Sequence, residues 1–145
     1  MKPVTETDGV LAPAEAMRIS PVSTTRATAP GGPYSQAIRA GSFLFVSGQR
    51  PADPATGVIP DGIAEQSRAV LSNLTEVLAA GGSAPSHVVK ITVHLADLGY
   101  FDEFNSVYTE YFAPPYPSRT TVGSQLRGIL VEVDAIAVLL PRHQA

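Results

Sequence analysis

The apolar residues of segment 63–95 change their spacing from a helical period to a strand period. In residues 63–80 they recur every three or four positions, which predicts an amphipathic helix with one buried face. Gly81 and Gly82 follow, and glycine favours the left-handed conformation that ends many helices. In residues 89–95 apolar and polar residues alternate, as in a strand with one buried face. The pattern therefore predicts a fold in which a helix packs against a sheet.

Further strand and helix patterns flank this pair. They are strands over 35–41 and 43–48, a second helix over 98–112 that Pro114-Pro115 ends, and strands over 118–125 and 130–139. The last two strands are predicted to form a hairpin around Arg127 and Gly128. The order β-β-α-β-α-β-β corresponds to an α+β two-layer sandwich with both helices on one face of the sheet. Because the other face then needs cover, we expect the chain to self-associate.

The chain length fits a single domain. At 145 residues the chain can form a hydrophobic core, and it is too short for two ordinary domains. A hydrophobic content of 44% with 16% charged residues is typical of a globular protein and excludes a disordered one. Residues 1–28 show no sustained period and are expected to form a flexible tail, so the predicted domain covers 29–145.

Charge and residue usage exclude several classes of function. A net charge of −3 provides no basic stripe for a phosphate backbone, so no nucleic-acid partner is expected. Without cysteine the chain has no disulfide, thiolate nucleophile or sulfur-ligated zinc. The three histidines lack ligand spacing, so no metal site is predicted. No apolar run has the length of a signal peptide or a membrane span, which predicts a cytoplasmic location without a membrane partner.

Two carboxylates and one guanidinium occur in strands that are otherwise apolar. Glu132 and Asp134 share one face of the last predicted strand. Solvent exposure would explain them, but Ile136 continues the same face, and a partly buried carboxylate needs a cation or hydrogen-bond donors. Arg119 lies on the preceding strand, which is predicted to be the hairpin neighbour. It forms either a structural ion pair or a planar fork that binds the carboxylate of a ligand.

Four further residues are candidate functional residues, and for each of them an ordinary structural role is the alternative. Tyr34 follows Gly-Gly-Pro, which fixes the chain path, so its hydroxyl is either presented to a ligand or half-buried in the core. Ser47 and Gly48 either end a strand or offer a backbone amide that a ligand can approach closely. Asn105 has poor propensity for its position inside a helix, which indicates a hydrogen-bonding role or a solvated face.

Six sequence blocks occur in order between about Pro30 and Leu139. They are APGGPYSQAI, FLFVSGQRPADPATG, LSNLTEVLAAGG, VVKITVHLADLGYFDEFNSVYTEYF, YPSRTTV and VEVDAIA. Together they resemble the RidA/YjgF family of enamine/imine deaminases. The resemblance implies a chorismate-mutase-like domain of the same element order. It also implies a homotrimer in which the sheets meet in a central barrel and the active sites lie between subunits.

The resemblance also implies roles for individual residues. Arg119 would hold the substrate carboxylate, and Glu132 would position the attacking water. Further positions that match the family are Tyr34, Ser47, Gly48 and Asn105. Thr121 stands where many members have cysteine, so a thiol role is lost while a backbone amide contact is kept. The loop before Pro117 and the final connection are shorter than is common, which leaves the shape of the cleft and the substrate side chain open.

The activity implied by the resemblance is that of a 2-iminobutanoate/2-iminopropanoate deaminase, a hydrolase acting on a C–N bond other than a peptide. Such an enzyme converts 2-imino acids, or enamine tautomers such as 2-aminoacrylate, to 2-oxo acids and ammonia without a cofactor. One alternative is a non-catalytic trimeric module that binds small carboxylates or regulates a partner. A ribonuclease or translation inhibitor, a role attached to some family members, is disfavoured by the acidic charge and the lack of a histidine pair.

Overall fold

Six β-strands and two α-helices occur in residues 17–141, the part of the chain that this computed structural model describes. In chain order they are β1 (Ile19–Val22), β2 (Ala37–Ala40), β3 (Phe43–Gln49), α1 (Ile63–Gly81), β4 (Val88–Leu95), α2 (Phe101–Tyr108), β5 (Ser118–Gly123) and β6 (Val131–Val138). Short 3-10 turns at Pro85–His87 and Leu98–Tyr100 precede β4 and α2. The α+β class and the element order predicted from β2 to β6 are confirmed.

β1 lies inside segment 1–28, which the sequence predicts to be a flexible tail. It pairs antiparallel with β2, and its last residue Val22 and the nearby Ala27 are buried. The sheet therefore includes residues on the N-terminal side of the expected domain 29–145. Residues 1–16 of the expected tail lie outside the described part of the chain.

The described strands form one sheet in the order β1-β2-β3-β6-β4-β5. β4 and β5 are parallel, whereas the other neighbouring pairs are antiparallel. A parallel pair needs a long crossover, which α2 and its flanking turns supply. The final hairpin predicted from the sequence is therefore wrong, because β4 lies between β5 and β6. Their connection instead crosses the end of β4, where Ser124 N donates to Leu95 O over 2.8 Å and Ala96 N donates to Leu130 O over 2.9 Å.

The hydrophobic core lies between one face of this sheet and the helices. α1 packs against β6, β3 and β2, and α2 packs against α1. Alternate residues of β6 are buried on this side: Val131, Val133, Ala135 and Ala137. Gly82 ends α1 in the left-handed conformation at a φ of 90°, as predicted. The same alternation sends Glu132 and Asp134 to the opposite face.

α2 ends at Tyr108, before its predicted end at residue 112. The following residues form turns in which Thr109 N donates to Asn105 O over 3.3 Å and Phe112 N donates to Tyr108 O over 3.0 Å. The Pro114-Pro115 peptide bond between these turns and β5 is cis. This early end brings the segment before β5 next to α2, with the Tyr108 and Tyr116 rings 6.3 Å apart.

The second face of the sheet is not covered by a helix within residues 17–141. Phe43 and Phe45 of β3 project from it and are 42% and 44% exposed. Their cross-strand neighbours Val138 and Ile136 continue the apolar surface and are half-buried. The prediction of an uncovered sheet face is confirmed. Apolar surface of this kind is typical of a contact region between subunits.

Candidate active site

The guanidinium of Arg119 lies on the helix side of the sheet. Arg119 pairs with Ile91 across the parallel β4–β5 ladder, and Ile91 is buried beneath the helices. The guanidinium carbon lies over three rings of the α2 segment, at 5.4 Å from the Phe101 centroid, 5.7 Å from Phe104 and 4.9 Å from Tyr108. Contacts of this kind hold a cation through the negative face of the ring.

Asn105 fixes the orientation of this cation. Arg119 Nη2 donates to Asn105 Oδ1 over 2.7 Å. A neutral amide satisfies one guanidinium N–H and leaves the positive charge unpaired. No carboxylate of residues 17–141 forms an ion pair with Arg119. The structural ion pair considered from the sequence is therefore not observed in the described chain, and the poor helix former Asn105 has a hydrogen-bonding role.

A cavity of about 270 Å³ opens beside this guanidinium. We call it the guanidinium pocket, and its lining residues are Asn105, Tyr108, Thr109, Tyr116, Pro117 and Arg119. The Tyr108 hydroxyl is buried and has no hydrogen-bond partner among the described residues. Burial raises the pKa of Tyr108, and the positive charge of Arg119 offsets part of that rise. The phenol therefore stays protonated at neutral pH.

Thr121 belongs to the same side of the sheet as Arg119. It pairs with Val93 on β4, two positions along the strand from Arg119 and Ile91, and its side chain is half-buried. Its hydroxyl is buried and has no partner among residues 17–141. The structure thus groups Arg119, Asn105 and Thr121, three of the residues proposed from the sequence.

Glu132 lies on the opposite face of the sheet, next to the end of β3. A Cβ atom added at Gly48 would approach Glu132 Cδ and Oε2 to 3.0 Å. Glycine at this position therefore accommodates the carboxylate as it stands, whereas a side chain would require Glu132 to shift. Ser47 Oγ donates to Ser35 O over 2.6 Å and so anchors the segment that carries Tyr34.

A second, larger cavity of about 700 Å³ contains the Glu132 side chain. We call it the carboxylate cleft, and its lining residues include Tyr34, Arg50, Gln125, Arg127, Ile129 and Glu132. Tyr34 is 48% exposed, so it is not part of the core, and its hydroxyl accepts a hydrogen bond from Gly31 N at 3.0 Å. Tyr34, Gly48 and Arg50 also line a small adjoining cavity. The structure thus groups Tyr34, Gly48 and Glu132, whereas Ser47 is adjacent to Gly48 in β3 without lining either cavity.

These two groups do not meet within one chain. Glu132 pairs with His94 across the β4–β6 ladder, and Arg119 pairs with Ile91 across the β4–β5 ladder. Ile91 and His94 are separated by an odd number of positions on β4, so their side chains point to opposite faces. Within a single chain, Arg119 and Glu132 therefore do not share one cavity.

The structure distinguishes the two carboxylates that the strand pattern alone leaves equivalent. Asp134 Oδ2 lies 3.6 Å from His94 Nε2, and His94 Nδ1 lies 2.8 Å from Ser124 Oγ. Glu132 has no such partner within residues 17–141. Asp134 is therefore engaged in a local contact, whereas Glu132 remains available to a ligand or a water molecule.

Several residues near the two sites were not identified from the sequence. They are Tyr108 and Tyr116 in the guanidinium pocket, and Arg50 and Arg127 in the carboxylate cleft. Tyr108 falls on an aromatic stripe of the predicted helix that is also typical of core packing, Tyr116 follows the proline break, and the arginines occur in turns. Residues 17–141 contain no cluster of three or more histidine or acidic side chains able to hold a metal ion. Within that range no helix combines the length and apolarity needed to cross a bilayer.

The fold and the two sites define a class of small α+β domain that carries a candidate site on each face of one sheet. A family model described as "Endoribonuclease L-PSP" matches residues 24–139. The chain belongs to this family, which is the RidA/YjgF family recognised in the sequence blocks.

Curated relatives and solved structures agree with this assignment. A RutC family protein of Pyrococcus horikoshii is 47% identical over 80% of this chain and 94% of its own. A Bos taurus protein named 2-iminobutanoate/2-iminopropanoate deaminase is 42% identical over 83% of this chain and 90% of its own. The crystal structure of E. coli TdcF with bound serine has a TM-score of 0.78 and 37% identity, and the match covers 82% of this chain and 98% of that one.

Proposed function

We propose that this protein hydrolyses 2-imino acids, and the enamine tautomers that give rise to them, to 2-oxo acids and ammonia. The observation that carries the proposal is the unpaired guanidinium of Arg119, which Asn105 and three aromatic rings hold beside an open pocket. A fixed cation of this kind suits a small carboxylate. The name of the Bos taurus relative and the serine bound to TdcF support the same substrate class.

The proposed active site is composite and lies between two subunits of a homotrimer. One subunit supplies the guanidinium pocket, and its neighbour supplies the carboxylate cleft. Two features support this arrangement: Arg119 and Glu132 face opposite sides of one sheet, and apolar side chains such as Phe43 and Phe45 are uncovered. Association of sheets through this face would bury that surface and bring the two sites together.

In this site Arg119 binds the substrate carboxylate. Asn105 occupies one of its N–H groups, so the remaining donors of the planar fork are free for two parallel hydrogen bonds. The backbone amides of Gly48 and Thr121 and the hydroxyl of Tyr34 complete the contacts that orient the carboxylate. Holding the substrate in this way converts the addition of water into an effectively unimolecular step.

Glu132 is the proposed general base. It takes a proton from water as the water oxygen bonds to the imine carbon, and it returns that proton to the nitrogen. In the resulting 2-amino-2-hydroxy acid, Glu132 takes the hydroxyl proton and delivers it to the amino nitrogen, the C–N bond breaks as the C=O bond forms, and ammonia and the 2-oxo acid are released. Proton transfer of this kind contributes on the order of 10²- to 10⁴-fold in rate. No cofactor takes part.

Two other functions are alternatives to hydrolysis of imino acids. A non-catalytic module that binds small carboxylates would need Arg119 but not Glu132. The ribonuclease activity in the description of the family model is not proposed, since a net charge of −3 provides little attraction for a phosphate backbone. The cytoplasmic location and the lack of a nucleic-acid partner stay predictions.

A competition assay tests the proposed activity. An amino-acid oxidase generates 2-iminopropionate from alanine, and semicarbazide traps the imine. The protein is expected to reduce trapping, and Arg119→Ala is expected to lose on the order of 10²- to 10³-fold in kcat/KM, as when one partner of a hydrogen-bonded charge pair is removed. Arg26→Ala removes an exposed arginine elsewhere and is the matched control. An unaltered protein that fails to compete with the trap would refute the proposal.

A further inference from the structure

The carboxylate cleft contains two arginines besides Glu132 and Tyr34. Arg50 follows β3, and Arg127 lies in the connection from β5 to β6. Arg50 is half-buried and lines both this cleft and the small cavity that it shares with Tyr34 and Gly48. The cation is therefore next to the residues proposed to act in catalysis.

Neither guanidinium has a hydrogen-bond or ion-pair partner among residues 17–141. Two other arginines in this range have clear structural roles. Arg39 donates to the carbonyl groups of Ala80 and Gly81 at the end of α1, and Arg68 pairs with Glu65 and Glu110. Arg50 and Arg127 instead direct unpaired positive charge into the cleft that contains Glu132.

The charge balance of this cleft favours an anion. Two guanidinium groups outweigh the single carboxylate of Glu132, so the lining charge is positive even though the whole chain has a net charge of −3. A volume of about 700 Å³ lies within the range of small-molecule sites and exceeds what a two- or three-carbon imino acid fills. The excess space is lined by the groups that best bind a carboxylate.

We infer that Arg50 and Arg127 form a subsite for a second acidic group of the substrate. The preferred substrates would then be 2-imino acids with a side-chain carboxylate, such as 2-iminosuccinate and 2-iminoglutarate. This inference rests on the proposed function, in which Arg119 binds the carboxylate next to the imine carbon. The side-chain carboxylate extends past Glu132 and reaches Arg50 and Arg127.

The test compares substrates with and without the second carboxylate. Amino-acid oxidases generate 2-iminoglutarate from glutamate, 2-iminosuccinate from aspartate and 2-iminopropionate from alanine, and semicarbazide trapping gives kcat/KM for each. The measured quantity is the ratio of kcat/KM for the dicarboxylic substrate to that for 2-iminopropionate. This ratio cancels changes in protein folding and in the chemical step.

The unaltered protein is expected to favour the dicarboxylic imines. Arg127→Gln, at an exposed position, is expected to lower the ratio roughly threefold, and the Arg50→Gln/Arg127→Gln double variant roughly tenfold, mainly through KM. Higher ionic strength is expected to lower the ratio for the unaltered protein but not for the double variant. Arg26→Gln removes one exposed positive charge outside the cleft and is expected to leave the ratio unchanged.

Three outcomes would overturn the subsite. The ratio could stay constant in the double variant. It could also fall equally in Arg26→Gln, which would show that the ratio depends only on the overall charge of the protein. Both substrates could lose activity in parallel with loss of the trimer in sedimentation, which would assign the arginines to subunit contacts.

Failure of the proposed function can be distinguished from failure of the subsite. If the unaltered protein hydrolyses none of the imines, the proposed function fails, and calorimetry with glutarate and butyrate then decides the subsite. Tighter binding of glutarate that is lost in the double variant supports it, and equal binding of the two acids refutes it.

Discussion

The guanidinium pocket and the carboxylate cleft differ in how their charges are held. In the pocket, one cation lies among aromatic rings and is oriented by a neutral amide. In the cleft, Glu132 lies against a bare glycine backbone in a wider, more polar cavity. The pocket is thus suited to fixing a carboxylate, and the cleft is suited to admitting water and moving protons.

The sheet itself keeps the two functions apart. β4 lies between β5 and β6, and the side chains of Arg119 and Glu132 leave opposite faces. If the two charges met in one chain without a ligand, they would form an ion pair. Each charge remains unpaired among the described residues. In the proposed composite site, where a second subunit would join the pocket to the cleft, a substrate would have both an anion-binding group and a base available.

The largest expected effect is a loss of turnover in a Glu132 variant, which would distinguish the catalytic role of the carboxylate cleft from the binding role of the guanidinium pocket. Glu132→Gln keeps the shape of the cleft but removes the base, so kcat is expected to fall on the order of 10²- to 10⁴-fold. The affinity for 2-oxobutanoate, measured by calorimetry, is expected to change little, because Arg119 still binds the carboxylate. Arg119→Ala is expected to weaken that affinity strongly.

Asp134→Asn is the matched control for this prediction. Asp134 lies on the same strand and face as Glu132, but it contacts His94. Its amide variant is expected to retain kcat. Equal losses of kcat in Asp134→Asn and Glu132→Gln would mean that any change on this face of β6 impairs turnover, and that Glu132 has no specific role as the base.

Local patterns in the sequence predict much of this comparison. Helical spacing predicts α1, alternation predicts β4 and β6, and charged residues in otherwise apolar strands indicate Arg119 and Glu132. Each of these signals lies within one element, where side-chain direction follows from the backbone period. The Gly82 terminus of α1 was predictable for the same reason.

The relation between the regions could not be predicted in this way. Alternation shows which residues share a face of one strand, but it does not show which strand is the neighbour. β5 pairs with β4 in parallel through a crossover, a pairing that no turn sequence marks. The difference between Glu132 and Asp134 likewise depends on Gly48 and His94, which are distant in sequence.

A smaller effect is expected when the two regions come from different chains. Arg119→Ala and Glu132→Gln subunits with different affinity tags are coexpressed, and trimers carrying both tags are purified. In each mixed trimer one interface joins an intact pocket to an intact cleft, so activity is expected to return to roughly one third of that of the unaltered protein. The measurement is kcat per trimer with 2-iminopropionate.

The control for mixing pairs Arg119→Ala with the Arg119→Ala/Glu132→Gln double variant. No interface then has an intact pocket, and no recovery is expected. Mixed trimers of the two single variants that stay as inactive as their parents would show that pocket and cleft act within one chain.

The smallest expected effect concerns the Tyr108 hydroxyl in the wall of the guanidinium pocket. Tyr108 is 5% exposed, its ring stacks on Phe112 at 4.6 Å, and its hydroxyl lacks a partner among the described residues. Tyr108→Phe removes the desolvated group and keeps the ring beneath Arg119. The free energy of unfolding is therefore expected to stay the same or rise by up to about 1 kcal/mol, with KM almost unchanged.

The pH dependence of unfolding sharpens this last prediction. Burial raises the pKa of Tyr108 in the folded chain above the usual value of 10.0, so the unfolded chain releases this proton first as the pH rises. Stability from the neutral phenol is complete below about pH 10 and is lost as the pH rises through the folded pKa. Tyr108→Phe is expected to reduce this alkaline loss in denaturant titrations at pH 8 to 11. A variant that instead lowers stability at neutral pH, with weaker substrate binding, would show that the hydroxyl has a partner in the assembled pocket.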